Sequence, residues 1–270
     1  ALLCINRGFA LMGFPSVSKD EILKVLGKVG VGNGDIIYVA SFASILGNRP
    51  NILEDTIETL IEAVGEDGTV VMPVFNWDYC SGSVFDPLET PSQTGVLTEF
   101  FRKRPGVLRS CTPPWCTFAA RGTRANEIVA IKGTSSFGPD GILQYLYDIN
   151  AKCVLLGCSY NEGAVHVHWL EEKYEVPYRY WKQFAGKVKL NGELQDNVSQ
   201  MYARRLDINT DIDTHPLTDI FDTTDKVKRE PLGLGHVRCF RAKDYVEFMT
   251  PYFEKDRLAV LNPEARENFR

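Results

Sequence analysis

Gly34-Asp35-Ile36-Ile37-Tyr38-Val39 opens the part of the chain that decides its architecture. A turn signal followed by β-branched and aromatic residues reads as a strand. Ser41–Pro50 is then a polar loop containing Gly47. From about Ile52 to Val64, Leu53, Ile57, Leu60, Ile61 and Val64 recur on one helical face, and Gly65 supplies the stop. Asp67-Gly68 turns the chain into Thr69–Pro73, a second strand. Strand, crossover helix and strand make a βαβ unit, whose right-handed crossover predicts parallel pairing.

Working outward, Ser18 and Glu21 form a capping-box signature ahead of Ile22, Val25, Leu26 and Val29, which share one helical face. A short helix is expected after Thr94-Gly95, ending near Arg104. Phe137-Gly138-Pro139-Asp140-Gly141 opens another helix through Ile142, Leu143, Tyr145 and Leu146, which returns to a buried strand at Lys152–Gly157. Lys187–Leu190, Asn191-Gly192 and Glu193 onward read as a β-hairpin with a type I′ turn. Val237–Arg241 reads as a last strand, and Asp244–Phe253 as a terminal helix kinked or ended by Pro251.

At 270 residues and 44% hydrophobic, the chain can bury one sizeable core, so a single α/β domain is expected over residues 18–255. Ala1–Leu11 is apolar but interrupted by Arg7 and too short to span a bilayer, and Met12-Gly13 follows it. Residues 1–14 are therefore set aside as disordered or foreign to the fold. Net charge is −5 with no basic run, which argues against nucleic acid and is weak evidence for a cationic substrate. The seven cysteines (Cys4, Cys80, Cys111, Cys116, Cys153, Cys158 and Cys239) are odd in number and lack zinc-ligand spacing. They are read as reduced thiols of a cytoplasmic protein, with neither a metal site nor a membrane anchor expected.

The chemistry gathers at Val165-His166-Val167-His168-Trp169-Leu170-Glu171-Glu172-Lys173, followed by Val176-Pro177-Tyr178-Arg179. A strand emptying through a short loop into a helix puts the helix's first turn at the carboxyl edge of a sheet, where open α/β folds keep their ligands. His168 and Glu171 are three apart and share one helix side. A carboxylate beside an imidazole fixes its tautomer and raises its basicity, as a general base requires. A helix start with a surface histidine and solvated acids satisfies the same spacing.

This stretch resembles one in the aminoglycoside 3-N-acetyltransferase family, roughly Thr-x-x-His-x-x-Glu-Glu and then Pro-Tyr-Arg, with Val165 in place of the threonine. Gly34-Asp35, Val39, Ser41, Leu46-Gly47, Gly65, Gly68-Thr69 and Met72-Pro73 resemble the family's opening, with Ala40 where a histidine is frequent. Asp86-Pro87 through Thr94-Gly95-Val96-Leu97 is similar too. The match departs at Cys111-Thr112-Pro113-Pro114-Trp115-Cys116, where Thr112 replaces a histidine and Cys116 a serine.

The resemblance implies an α/β fold with a central mixed, partly parallel sheet flanked by helices and an added β-hairpin, rather than the Gcn5-type arrangement. It implies acetyl-CoA as cosubstrate and transfer to a primary amine of an amino sugar or aminocyclitol. His168 becomes the base and Glu171 its partner. Ser41, Ser44 and Gly47 become coenzyme contacts, with backbone N–H groups of the Ser41–Gly47 loop as oxyanion donors. Thr112, Trp115, Cys116, Tyr178 and Arg179 become acceptor-side residues. The expected partners are the small-molecule amine and CoA, with a homodimer left open.

Other chemistries stay on the page. Glu230-Pro231-Leu232-Gly233-Leu234-Gly235 is a poor pyrophosphate loop, with the wrong first charge and a proline lacking its N–H. No nucleophile elbow of the Gly-x-Ser-x-Gly kind is present. A Cys116 or Cys158 acyl-enzyme with His168 is the main competitor. A metal held by His166, His168 and Glu171 meets the objection that residues two apart do not share a helix face. A family member retired to CoA binding, or one acting as a drug-resistance aminoglycoside 3-N-acetyltransferase, completes the set. Tyr178, Tyr180 and Trp181, with Trp115 beside Thr112, instead suit stacking on a sugar or base, favouring a biosynthetic amino sugar, nucleotide-linked or not.

Overall fold

The structure, a computed structural model, describes residues 16–135 and 137–270, so the reading of residues 1–14 lies outside the described residues. Its organising strand is β1 (Ile36–Ser41). Ile37, Tyr38 and Val39 are fully buried, so this strand carries apolar layers on both faces. Strand alternation sends Ile37 and Val39 into one layer and Tyr38 and Ala40 into the other. Before it, α1 (Lys19–Lys28) starts on the expected capping box: Ser18 N–H donates to Glu21 Oε2 at 2.8 Å and Glu21 N–H to Ser18 Oγ at 3.2 Å.

The crossover helix is α2 (Ile52–Val64), and it returns to β2 (Thr69–Pro73). The two strands pair in parallel, Ile36 opposite Thr69 and Tyr38 opposite Val71. Beyond β2 come α3 (Val96–Arg102), β3 (Leu108–Arg109), β4 (Phe118–Gly122) and α4 (Ala125–Val129). Next, α5 (Ile142–Asp148) feeds β5 (Lys152–Leu156), which lies parallel to β1 on its other side with Ala40 opposite Leu155. α6 (Tyr160–Gly163) and α7 (His166–Lys173) precede a long hairpin, β6 (Arg179–Leu190) and β7 (Glu193–Arg204). α8 (His215–Phe221), β8 (Lys228–Leu232), β9 (Gly235–Arg241) and α9 (Ala242–Lys255) follow.

The seven-stranded sheet runs β3-β4-β2-β1-β5-β9-β8. Only β2, β1 and β5 are mutually parallel; β3, β4, β9 and β8 pair antiparallel around them. Leu26 of α1, Leu60 of α2 and Phe101 of α3 cover one face. Leu146 of α5, Leu170 of α7 and Met249 of α9 cover the other.

Two expectations need correction. The hairpin has its type I′ signature, with Asn191 at φ 54° and Gly192 at φ 85°, but pairs twelve residues per strand and begins at Arg179. The helix read as terminal runs from Ala242 through Pro251 to Lys255, and a further short helix, α10 (Pro263–Arg266), follows it. Proline forfeits one hydrogen bond, and the fully buried Met249 and Phe253 on either side hold the helix together. Val237–Arg241 lies in the last strand, as expected, and that strand forms a hairpin whose other strand, β8, carries Pro231 at the sheet's outer edge, where a missing N–H is tolerated. The Gly233-Leu234-Gly235 turn of that hairpin is built for close packing. A Cβ on Gly233 would lie 2.0 Å from the Ile45 carbonyl oxygen, which accepts the Leu234 N–H at 2.9 Å.

Candidate active site

Because β1 and β5 are parallel, Ser41 and Leu156 end at one carboxyl edge of the sheet. The sequence suggests that β5 empties directly into the helix carrying His168. The structure inserts α6 first, started by its own capping box: Ser159 N–H donates to Glu162 Oε2 at 2.8 Å. α7 follows, and a cavity of about 1070 Å³ opens at this edge between the sheet and the inner residues of the hairpin. Ser41, Thr94 and His168 lie on its wall from the sheet side, and Arg179, Lys182 and Arg204 from the hairpin side.

His168 has about a quarter of its side chain exposed, and its Nδ1 lies 2.6 Å from Oε2 of Glu171. Glu171 is fully buried behind it. Arg179, at the first position of β6, completes the group: Nη2 is 2.7 Å from the same Glu171 oxygen and 3.1 Å from His168 Nδ1. Its Nη1 donates to the Tyr202 carbonyl at 3.2 Å, which fixes the guanidinium across the hairpin. Burial pushes the Glu171 carboxyl up, but Arg179 and His168 together outweigh it and hold the group at about 2. An anionic Glu171 accepts from both neighbours, so the His168 proton belongs on Nδ1. That leaves the Nε2 lone pair for the cavity.

His166 points elsewhere. It is buried against the Tyr38 ring, 6.5 Å between centroids, and burial lowers its imidazole to about 4. The two histidines diverge, so they do not converge on one ion. The thiols are also poor nucleophiles here. Burial drives Cys116 well above the usual thiol range, and burial followed by the nearby Glu162 pushes Cys158, on the cavity wall, up to about 12.

The sequence model of the aminoglycoside 3-N-acetyltransferase family matches residues 39–254. The chain belongs to that family. Among aminoglycoside 3-N-acetyltransferase relatives, aminoglycoside N(3)-acetyltransferase IV of a Salmonella species is 28% identical over 254 residues, 91% of this chain and 90% of the relative. A prophage-derived aminoglycoside N(3′)-acetyltransferase-like protein of Bacillus subtilis (strain 168) is 24% identical, covering 87% and 92%. Solved structures share the fold. The apoenzyme of AAC(3)-IVa superposes with a TM-score of 0.77 at 24% identity, covering 94% of each chain. AAC-IIIb, solved as a binary complex with CoASH, gives 0.77 at 20% identity, covering 89% of this chain and 97% of its own.

Within this family framework, the structure sorts the residues read from sequence. His168, Arg179 and Ser41 stand on the cavity wall, with Glu171 directly behind. Ser41 Oγ is buried without a hydrogen-bond partner, a donor that a bound pantetheine amide would satisfy. Ser44 is exposed and Gly47 packs on Ser16, so neither lines the cavity. The loop's N–H groups at Phe42, Ile45 and Gly47 already donate to Leu156, Phe42 and Ser44 carbonyls, which removes them as oxyanion donors.

Four acceptor-side expectations are corrected. Thr112 lies on a separate groove with Lys132 and Ser199. Trp115 is fully buried between Tyr79 and Phe184, with ring centroids 5.7 and 5.1 Å away. Cys116 and Tyr178 are core residues as well. For Trp115, Cys116 and Tyr178 the cause is burial of an apolar or aromatic side chain in the core beneath the hairpin, whereas Thr112 is partly exposed on its own groove. What the sequence left unassigned is Phe137, whose ring centroid stands 5.2 Å from that of His168 on the cavity wall. Its signal, the Phe-Gly-Pro-Asp-Gly string, reads as a helix opener and nothing more.

Proposed function

We propose that this chain is an acetyl-CoA-dependent N-acetyltransferase acting on a primary amine of an amino sugar or aminocyclitol, with His168 as general base. The observation that carries the reading is the buried Glu171 placed 2.6 Å from His168 Nδ1 at the wall of the large cavity. Acetyl-CoA supplies the electrophilic carbonyl. Nε2 of His168 takes the proton that the attacking amine must lose, and Glu171 stabilises the imidazolium that results. The thioester C–S bond breaks to release CoA, whose sulfur takes up that proton. Arg179 helps keep Glu171 anionic, so the carboxylate is in place to receive the charge that forms on the imidazole. Ser41 Oγ and the rim around Phe42 and Thr94 are the side we assign to the pantetheine arm.

On the acceptor side we favour an amino sugar bearing few ammonium groups. Among the described residues on the wall, Glu162 is a carboxylate, facing Arg179, Lys182 and Arg204, and it already accepts the Ser159 N–H. Tyr180 and Trp77, each nearly half exposed on the rim, offer stacking faces for sugar or base. The test is CoA release, followed with a thiol reagent, across aminoglycosides and nucleotide-linked amino sugars. No release with any amine, alongside measurable CoA binding, favours the retired-enzyme alternative.

A further inference from the structure

Two carboxylates stand side by side on α7, and the fold uses them in opposite ways. Glu171 faces His168 and Arg179. Glu172, about 100° further round the helix, is buried against the loop that leads into α5. Its Oε1 accepts a hydrogen bond from Ser135 Oγ at 2.6 Å, and the Phe137 backbone N–H donates to the same carboxyl group. Gly138 closes over it. A Cβ on Gly138 would lie 2.9 Å from Glu172 Oε1 and 2.5 Å from Ser135 Oγ, so a side chain there would pry the loop off.

The residue this clasp presents is Phe137. Its ring lies against His168 at 5.2 Å between centroids, tilted by 42°, and forms part of the cavity wall. Ser135 also bridges to Gln200 of β7, so the loop is pinned to α7 at one side and to the hairpin at the other. A buried carboxyl costs stability, here the more so because Glu172 Oε2 is enclosed without a hydrogen-bond partner among the described residues. Core packing of α7 alone has no need of one at this position. The arrangement therefore braces the imidazole twice: Glu171 at its Nδ1 edge, and Glu172, acting through Phe137, at its face.

We propose that Glu172 is a positioning residue for the transfer site, holding the Phe137 ring against His168 through its bonds to Ser135 and the Phe137 N–H. The proposal rests on the reading of His168 as the base. Four proteins test it: Glu172→Ala, Glu172→Gln, Phe137→Ala and the Glu172→Ala/Phe137→Ala double variant. Each is measured for kcat and KM on the amine that the wild type acetylates, for thermal unfolding, and for the imidazole 15N resonances of His168.

Glu172→Ala is expected to lower kcat by roughly 10- to 100-fold, the scale of a slightly misplaced catalytic group. Both KM values should stay within about threefold, since ground-state binding is not what is lost. Phe137→Ala should do the same, and the double variant should be no worse than the more damaging single one. Glu172→Gln, whose amide oxygen accepts the same bonds, should recover most of kcat. His168 resonances should move in the alanine variants and stay near native in the glutamine variant.

Folded Glu172→Ala with native kcat, additive losses in the double variant, or unmoved His168 resonances would each overturn the proposal. Should Glu172→Ala fail to fold, Phe137→Ala with native kcat and unmoved His168 resonances overturns it alone. If the wild type acetylates no amine, the functional reading fails, and the resonances still decide whether Glu172 positions the ring.

Discussion

His168 Nδ1 and Glu171 Oε2 are 2.6 Å apart, with the imidazole on the cavity wall and the carboxylate wholly enclosed. A neutral imidazole with its Nδ1 proton so engaged presents Nε2 as its basic atom. His168→Ala should therefore lower turnover by roughly 10² to 10⁴ while the melting curve stays near native. Glu171→Gln keeps an acceptor for Nδ1–H and should cost less. Near-native turnover in His168→Ala, measured as CoA release under saturating amine, removes His168 as the base.

Arg179 compensates that carboxylate, and its own side chain is 9% exposed. Replacing it with methionine keeps the packing of the stem and leaves Glu171 a buried charge with one partner fewer. Removing one member of a buried pair typically costs about 3–5 kcal/mol. Arg179→Met should unfold at clearly lower urea concentration than the wild type, and the Arg179→Met/Glu171→Gln double variant should recover part of the loss. Equal midpoints for wild type and Arg179→Met would show that the pair contributes nothing to the fold.

The acyl-enzyme alternative predicts a covalent adduct. Cys116 is enclosed in the core and its thiol is held far from ionisation by burial. Cys116→Ser should retain turnover within a few-fold, and intact mass after incubation with acetyl-CoA alone should show no added acetyl group. A stoichiometric adduct that passes to an amine on addition replaces direct transfer with a two-step mechanism.

The sheet was readable because its signals are local. Ile36–Ser41 and Thr69–Pro73 are flanked by turn residues, and Leu53, Ile57 and Leu60 mark one face of the helix between them. β4 and β8 escaped notice because Ala119-Ala120-Arg121-Gly122 and Pro231 carry little strand signal; both are strands through their pairing with β2 and β9. At the site, His168 and Glu171 lie within one helical turn and could be paired from spacing. Arg179 reaches them only after Val176-Pro177-Tyr178 turns the chain into the hairpin. Phe137 arrives from 31 positions away through a loop. Trp115 and Tyr178 misled because an aromatic side chain looks the same in sequence whether it stacks on a ligand or fills a core.

His166 predicts a pH dependence of stability. The unfolded chain takes up a proton here below its ordinary value near 6.5, whereas burial delays uptake in the folded chain to about 4. Between those values the unfolded state binds more protons, so stability falls as pH drops from about 6.5 to 4. Across the window the loss approaches about 3 kcal/mol. His166→Gln keeps a donor for the Leu143 carbonyl that His166 bonds, and cannot titrate. Its midpoint in urea should vary less over that window than the wild type's. Parallel curves would assign the acid sensitivity to other groups.

Charge is what we expect to decide the acceptor. A polycationic aminoglycoside needs several carboxylates to receive its ammonium groups. Near the hairpin end of the cavity, the carboxylates already have partners in the chain: Asp211 with Arg204 at 2.7 Å, Asp207 with Arg205 at 2.6 Å and Asp213 with His215 at 2.8 Å. Lys182 lines the cavity with its ammonium over the Phe184 ring, 4.9 Å from the centroid, and adds positive charge to the wall. A second or third ammonium on the ligand would have to break these pairs or sit near Lys182. Amino sugars with a single amine avoid that cost, and a linked nucleotide would place its phosphates where the cations are. We therefore expect higher kcat/KM on such amino sugars than on gentamicin- or kanamycin-type amines, with Lys182→Glu narrowing the gap. A value above ~10⁴ M⁻¹s⁻¹ on those drugs, the lower end for enzymes on their own substrates, would show that the wall accepts a polycation and that the charge argument is wrong.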